Sequence, residues 1–328
     1  MIGTTLWERQ LHQRGDAGAL AAGEDCVVVH ERHTRLVCLN RHDGSVRWDV
    51  PMGTWPRGVA VTDERCLCLP QNSDQLSCVD LTTGSLMWRA GLRAYSGHVV
   101  ATPETVIVGG WRGYTPMTGF NLDDGRLLWS TQRATDTVLP VPWSGGVLLG
   151  SGTDAWLIDP REGRELARWR LPEPLAWSDN HSPFTLIDHD RCLVLCGSRS
   201  VAVIRLSSDL VHPLFRHDAD LVTSAAEFTG GVVLLRERRG GYVAVDPEDG
   251  SALWKMDAGQ PFAEGVGHDD KGFVLVSQPG VLFRLRPDGH LVERSSLRSR
   301  VSALVDLGMG EMIVVTKGTL RMIAVDTR

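Results

Sequence analysis

The sequence predicts an all-β fold: a single β-propeller of eight four-stranded blades that spans residues 1–328. Two observations predict it. The first is a phrase of the form D/N-x-x-x-G-x-x-x-W, which recurs along the chain at nearly even spacing. The second is the series of short apolar segments that fill the interval between one copy and the next, with no long segment of helical periodicity among them.

The phrase is clearest in four copies, which read NRHDGSVRW, DLTTGSLMW, NLDDGRLLW and DPEDGSALW. Its final tryptophan recurs at intervals of 41, 40, 41 and 40 residues, and weaker equivalents continue the series to the end of the chain. A period of 40 to 45 residues with short strands is typical of propeller blades. The eight positions that correspond to the final residue of the phrase are Trp7, Trp48, Trp88, Trp129, Trp169, Phe215, Trp254 and Glu293.

Each interval contains segments that are typical of strands. The first offers ALAAG, CVVVH, RLVCLN and SVRWDV, and the second offers GVAVT, CLCLP, LSCVDL and SLMWRA. Gly, Asp, Asn or Pro bounds each segment, and Asp-Gly favours a tight turn because glycine tolerates a positive φ. The phrase therefore predicts a hairpin between the third and fourth strands, with a tryptophan packed between neighbouring blades.

The two ends of the chain carry complementary halves of the phrase. The chain ends in TLRMIAVDTR, the first half, and begins with GTTLWER, the second half. We therefore predict that residues near 4–8 pair beside residues near 319–325. This pairing would close the eighth blade and remove an open sheet edge.

The repeated phrase resembles that of the PQQ-type eight-bladed β-propeller family, over the whole chain. Some members of that family are quinoprotein alcohol dehydrogenases, which hold pyrroloquinoline quinone and calcium against a pair of adjacent cysteines. This chain has no Cys-Cys pair, so the resemblance implies a propeller without cofactor or metal. Another member is a lipid-anchored outer-membrane assembly factor that binds a partner protein, but the lipobox it requires is missing here. The family fold alone does not assign a function.

Composition narrows the possible partners. The net charge of −6 argues against nucleic-acid binding, and no apolar stretch is long enough for a membrane span. The charged N-terminal segment MIGTTLWERQLHQRGD does not fit a signal peptide, so a cytoplasmic location is expected. The seven cysteines lie in apolar segments and are interpreted as reduced core thiols. His30 and His33 in HERH could hold a metal ion, but a solvated loop is the favoured interpretation.

The tryptophans of the phrase are interpreted as structural, whereas several other aromatic residues fall in segments that connect strands. Loops on a rigid scaffold commonly carry binding residues. Trp156 is excluded because it lies within a predicted strand. The aromatic residues predicted to bind a substrate are Trp55, Tyr95, Trp111, Tyr114, Trp143, Trp177 and Phe262.

Polar residues precede the predicted inner strands, which would point them toward the axis of a propeller. Histidine and carboxylates suit acid–base catalysis, and arginine can neutralise a carboxylate or enolate. We predict catalytic roles for Asp16, His98, His181 and Glu264, and substrate-binding roles for Arg57, Asn180, Thr223 and Arg300. An equally open alternative is that these residues are simply solvated in a wet channel.

Two functions fit these residues, and the polar residues that converge at the channel mouth favour the first, because a scaffold would not need them. The first is a cofactor-independent enzyme or binder that takes a small molecule at the channel mouth, with cyclisation, isomerisation or elimination chemistry in specialised metabolism. The alternative is a protein-interaction scaffold without catalysis, because exposed Trp, Tyr and Arg are also the residues that dominate protein interfaces. Aromatic residues that line a funnel would favour the first function, and a flat arrangement would favour the second.

Overall fold

The computed structural model describes residues 3–11, 20–31, 34–52, 56–62, 64–70, 74–93, 95–179 and 181–325, without the side chains of Pro56, Arg57, Asp209, Ser224 and Ala225. Within these ranges the chain is all-β, apart from a 3-10 turn at Trp111–Gly113. Across the same ranges, no helix has the length and apolarity needed to cross a bilayer. The chain divides into two compact units: residues 1–16 with 183–328, and residues 17–182.

The strands follow one another closely along the chain, as the short apolar segments predict. The first half contains β1 (Thr4–Gln10), β2 (Leu20–Ala22), β3 (Cys26–Glu31), β4 (Arg35–Asn40), β5 (Val46–Pro51), β6 (Pro56–Val61), β7 (Arg65–Pro70), β8 (Gln75–Asp80), β9 (Leu86–Gly91), β10 (Val99–Ala101), β11 (Thr105–Val108), β12 (Thr118–Asn121), β13 (Leu127–Ser130), β14 (Val141–Trp143), β15 (Gly146–Ser151), β16 (Asp154–Ile158) and β17 (Glu165–Arg170). The second half contains β18 (Phe184–Leu186), β19 (Arg191–Cys196), β20 (Ser200–Arg205), β21 (Ser208–Arg216), β22 (Leu221–Thr229), β23 (Val232–Glu237), β24 (Gly241–Val245), β25 (Ala252–Asp257), β26 (Gly267–Asp269), β27 (Gly272–Val276), β28 (Val281–Leu285), β29 (Leu291–Ser296), β30 (Val301–Asp306), β31 (Glu311–Thr316) and β32 (Thr319–Ala324).

These strands form eight four-stranded antiparallel sheets, four in each unit. Seven of the sheets take four consecutive strands, from β2–β5 through β26–β29. The eighth has the order β1-β32-β31-β30, so the N-terminal strand supplies its fourth member. In this sheet Thr4 lies opposite Ala324 and Gln10 lies opposite Thr319. The predicted eight-bladed propeller and its closure by the terminal strands are both confirmed.

Each position of the repeated phrase has its own structural role. In the second copy, the Asp80 carboxylate accepts hydrogen bonds from the backbone N–H groups of Thr82 at 3.0 Å and Thr83 at 2.7 Å. Gly84 then adopts a φ of +71°, a backbone conformation that is strained for any residue with a side chain. The Asp or Asn therefore caps the turn, and the glycine allows the chain to reverse into the outer strand.

The tryptophan of one sheet docks on the turn of the next sheet. The Trp88 Nε1–H donates to the Leu122 carbonyl oxygen at 2.9 Å, and a Cβ atom at Gly125 would lie 2.5 Å from the Trp88 ring. The glycine is thus required both by its own φ and by the ring that covers it. The same donation, at 2.8–3.0 Å, joins Trp48 to Leu81, Trp129 to Pro160 and Trp254 to Pro287.

Replacing Gly125 tests this docking contact against a matched control. Gly125 and Gly145 have φ values of +70° and +80°, but a Cβ atom at Gly145 would have no neighbour within 4 Å. Gly145→Ala should therefore cost only the backbone strain, about 1–2 kcal/mol. We expect Gly125→Ala to cost about 1–3 kcal/mol more, because the Trp88 ring must shift. Urea unfolding of both variants checks this, and equal losses would contradict the docking role.

The cysteines are buried, as predicted. All seven lie in described strands, and none forms a disulfide. Burial raises the pKa of Cys68 to about 12 and that of Cys78 to about 11. The solvated-loop interpretation of His30 is wrong: the residue belongs to β3 and is only 1% exposed, because the strand continues through the first two residues of HERH. His33 lies outside the described residues.

Candidate functional site

Residues 17–182 bring four of the predicted aromatic residues together around an arginine. Arg112 lies in the 3-10 turn with a φ of +52°. Its Nε donates to Asp179 Oδ1 at 3.0 Å, and its Nη2 donates to Asp179 Oδ2, so the guanidinium and carboxylate form a two-bond pair. The bond to Asp179, followed by one to Tyr114, raises the pKa of Arg112 above its ordinary value.

Trp111 forms the base of this cluster. Its ring is 6% exposed, and its Nε1–H donates to Asp179 Oδ1 at 2.6 Å. Gly97 allows the Trp111 side chain to lie close to the backbone at residue 97, since a Cβ atom there would lie 2.2 Å from the Trp111 Cβ. Asp179 thus accepts hydrogen bonds from two consecutive residues and fixes the orientation of both.

Three aromatic side chains around Arg112 are open to solvent. Tyr95, Tyr114 and Trp177 are 49%, 56% and 49% exposed. The Tyr114 ring centroid lies 5.5 Å from that of Trp111 and 6.2 Å from that of Tyr95, both edge-to-face. The Arg112 guanidinium lies 5.8 Å from the Trp177 ring centroid, within the range of a cation–π contact. We call the six residues Tyr95, Trp111, Arg112, Tyr114, Trp177 and Asp179 the aromatic patch.

Two aromatic residues that were predicted to bind substrate are instead core residues. Trp143 ends β14, is 3% exposed, and packs with its ring centroid 5.9 Å from that of Trp169. Phe262 is 3% exposed and lies edge-to-face with Tyr242 at 4.9 Å. The prediction placed both residues in loops that face a ligand, whereas their rings fill the apolar core beside strands.

The polar residues of the predicted site are distributed over both units. Among residues 17–182, His98 directly precedes β10 and is 3% exposed, and His181 is half-buried before β18. In the other unit, Glu264 is half-buried and Arg300 is exposed directly before β30. Thr223 lies within β22 and Arg57 lies within β6, so neither precedes its strand as predicted. Asp16, Trp55 and Asn180 lie outside the described residues, as does the side chain of Arg57.

Residues 183–328 also contain a titratable acidic residue that no sequence motif indicates. Burial raises the pKa of Glu227 to about 7, and nearby Glu264 and Asp306 act in the same direction. The Arg236 charge and a hydrogen bond from the Val266 N–H at 2.9 Å oppose the rise. A carboxyl group that titrates near neutral pH can take part in acid–base chemistry. Among the described residues, no group of three or more His, Cys, Asp or Glu side chains is arranged to hold a metal ion.

The sequence contained partial signals for the missed residues. Arg112 lies next to a predicted aromatic residue in the glycine-rich stretch GWRGY, and Asp179 follows two residues after Trp177. Nothing local to either stretch indicates that the two side chains pair across 67 positions of sequence. Glu227 lies in a strand of mixed apolar and polar residues, LVTSAAEFT, where a single acidic residue gives no distinctive pattern.

Comparison with solved structures shows the same fold over the full chain. The crystal structure of BamB from Moraxella catarrhalis matches with a TM-score of 0.79 and 16% identity, and the match covers 100% of this chain and 99% of that one. The computationally designed Ika8 protein matches with a TM-score of 0.78 and 13% identity over 98% and 100% of the two chains. Sqt1 from Saccharomyces cerevisiae matches with a TM-score of 0.80 and 10% identity over the whole of both chains.

Comparison of the sequence identifies the family. No curated protein matches the chain. A family model does match, with the description outer membrane protein assembly factor BamB, and it covers residues 2–57, 52–182 and 239–328. These segments include most of the chain and all four clear copies of the repeated phrase. The chain therefore belongs to the outer membrane protein assembly factor BamB family of PQQ-type repeat propellers.

Proposed function

We propose that this chain is a protein-binding propeller that holds a partner protein at the aromatic patch. The observation that carries the proposal is the arrangement of three exposed aromatic rings around an arginine that is already fixed in place. Trp, Tyr and Arg are the residue types that contribute most of the free energy at protein interfaces. Two of the three tyrosines of the whole sequence lie in this patch.

The patch is suited to binding because its geometry is set before a partner arrives. Asp179 orients both Trp111 and Arg112, so ordering these side chains on binding costs little entropy. Tyr95 and Arg112 adopt φ values of +66° and +52°, a conformation that non-glycine residues rarely take and that is enriched at functional sites.

The charge balance of the patch indicates the kind of partner surface that it fits. The Asp179 carboxylate neutralises the Arg112 guanidinium in a two-bond pair, so this cation is not available to an acidic residue of a partner. The exposed area is contributed mainly by aromatic rings. We infer that the partner presents apolar or aromatic side chains to the patch. The description of the family as an assembly factor supports a role in binding another protein.

Site-specific photocrosslinking tests this proposal. A benzophenone amino acid in place of Tyr114, 56% exposed, is compared with the same residue in place of Met309, 90% exposed and in the other unit. In cells that express the chain, we expect a discrete protein adduct from position 114 that position 309 does not give. Asp179→Asn should reduce the yield of this adduct, because it loosens Arg112 and Trp111. The same adducts from both positions would contradict binding at the patch.

Acid–base chemistry on a small molecule, the function that the sequence favours, is the second candidate. It is favoured by Glu227, whose pKa is raised by burial to about 7. Mass spectrometry of small molecules that copurify with the chain distinguishes the two functions. A retained ligand that is lost in Glu227→Gln but kept in Trp177→Ala would favour the second candidate.

A further inference from the structure

Two cysteines of one sheet lie on the same face as neighbours. Cys26 in β3 pairs with Asn40 in β4, and Val28 pairs with Cys38, so the two thiols occupy diagonal positions on adjacent strands. Both belong to one buried apolar cluster, which also contains Cys66 and Cys68 of β7. The interaction with the other thiol is the largest influence on the pKa of each of the two cysteines. The strand register and this interaction make Cys26 and Cys38 neighbours on one face of the sheet.

One of these four cysteines, Cys26, lines a cleft. Cys26 contributes to the wall of a cleft of about 390 Å³, together with Gly23, Asp25 and Arg47. A Cβ atom at residue 23 would lie 3.3 Å from the Cys26 sulfur, so a larger side chain there would crowd this atom. The Cys26 side chain is nevertheless only 2% exposed, so only a small reagent can reach its sulfur atom.

The surroundings of the pair give its two sulfur atoms different reactivity. The hydrogen bond from Cys38, the charge of Arg47 and the Gly23 backbone N–H lower the pKa of Cys26, against the effects of burial and Asp25. The same bond, together with burial, raises the pKa of Cys38. Burial also raises the pKa of Cys192, in a part of the chain without such a pair. A thiolate is the nucleophilic form of cysteine. Cys26 also lines the cleft, so both its position and its surroundings favour it as the attacking sulfur.

We propose that Cys26 and Cys38 form a peroxide-reactive dithiol site, with Cys26 as the attacking sulfur and Cys38 as the resolving thiol. This dithiol site is independent of the protein-binding function. Hydrogen peroxide fits the cleft, whereas a disulfide of another protein is too large to reach a sulfur that is 2% exposed.

The reaction balances in two steps. The Cys26 thiolate attacks one peroxide oxygen, the S–O bond forms, the O–O bond breaks, and the departing hydroxide takes up a proton to leave as water. Cys26 is thereby oxidised by two electrons to a sulfenic acid. The Cys38 sulfur then attacks the Cys26 sulfur, the S–S bond forms, the S–O bond breaks, and the hydroxide leaves as a second water with the proton of Cys38. An added dithiol such as dithiothreitol reverses the oxidation.

Thiol counting and peptide mapping of the full-length chain test the site. The reduced protein, denatured without reductant, should titrate as seven thiols. After about one equivalent of hydrogen peroxide we expect five thiols and a Cys26–Cys38 disulfide in the peptide map, both reversed by dithiothreitol. Cys38→Ser should accumulate a sulfenic acid at Cys26 that dimedone traps. Cys192→Ser, the matched control, should still lose two thiols.

The wild-type peptide map decides the outcome even where a variant fails to fold. Oxidation of all seven thiols in parallel would overturn the proposal, as would a disulfide that joins Cys66 or Cys68 in place of Cys38. A normal loss of two thiols in folded Cys26→Ser would overturn it as well.

Discussion

Deleting residues 1–10 should strongly destabilise the protein, because the eighth sheet would lose its outer strand. β1 contributes the Trp7 ring, which is 7% exposed, and a ladder of backbone pairs from Thr4 to Gln10. Removing a buried ring of this size lowers the free energy of unfolding by about 3–5 kcal/mol. For a chain of this length such a loss corresponds to a fall of roughly 4–7 °C in the melting temperature.

The deletion also exposes β32 as an open sheet edge, which favours association between molecules. Thermal melting and light scattering of the deletion variant measure both effects. Deletion of residues 1–2 alone, which keeps β1 and its pairing with β32, is the control. A melting temperature that is unchanged by the longer deletion would mean that closure by β1 contributes little to stability.

Trp88→Ala should strongly destabilise the protein, because this ring joins two neighbouring sheets. The Trp88 ring is 8% exposed, packs against Gly125, and donates a hydrogen bond to the Leu122 carbonyl at 2.9 Å. Truncating it should cost about 3–5 kcal/mol in the free energy of unfolding. Trp88→Phe keeps an aromatic ring and should cost less, since the lost hydrogen bond contributes about 1 kcal/mol.

The matched control for this substitution is Trp177→Ala. Trp177 belongs to the same unit but is 49% exposed, so its truncation should cost less than about 1 kcal/mol. Chemical denaturation of the three variants provides the comparison. If Trp88→Ala costs no more than Trp177→Ala, the tryptophan of the phrase does not hold neighbouring blades together.

The fold could be predicted because the phrase encodes local physics. Asp80 caps a turn, Gly84 reverses the chain, and Trp88 lies in the outer strand, all within nine residues. Repetition at a fixed spacing then gives the number of blades without any knowledge of long-range contacts. The sequence did not show that four of the phrase glycines, at positions 84, 125, 163 and 289, are also covered by the tryptophan of the preceding sheet. That contact joins residues about 36 positions apart, such as Trp48 and Gly84.

The candidate site could be predicted only in part. The aromatic residues Tyr95, Trp111, Tyr114 and Trp177 were identified from their position between strands, and the structure brings these four together. Arg112 and Asp179 were missed because their pairing depends on how the chain folds over 67 residues.

Trp143 and Phe262 were assigned to the site by the same reasoning and are core residues. The same positional rule assigned these six aromatic residues, together with Trp55, to the site, yet only tertiary packing decides which rings are buried. The sequence pattern gives the order of strands and connections, but it does not give the depth at which a side chain lies.

The most direct test of the central claim is a binding measurement. It compares the affinities of patch variants for the partner protein captured at Tyr114. Trp177 and Leu253 are both 49% exposed, but only Trp177 belongs to the patch. We predict that Trp177→Ala raises the dissociation constant about 30-fold or more, the effect of an interface residue worth at least about 2 kcal/mol. Leu253→Ala should leave the dissociation constant unchanged, and both variants should keep the wild-type melting temperature. Equal affinities of the two variants for the partner would contradict the claim that this propeller binds proteins through its aromatic patch.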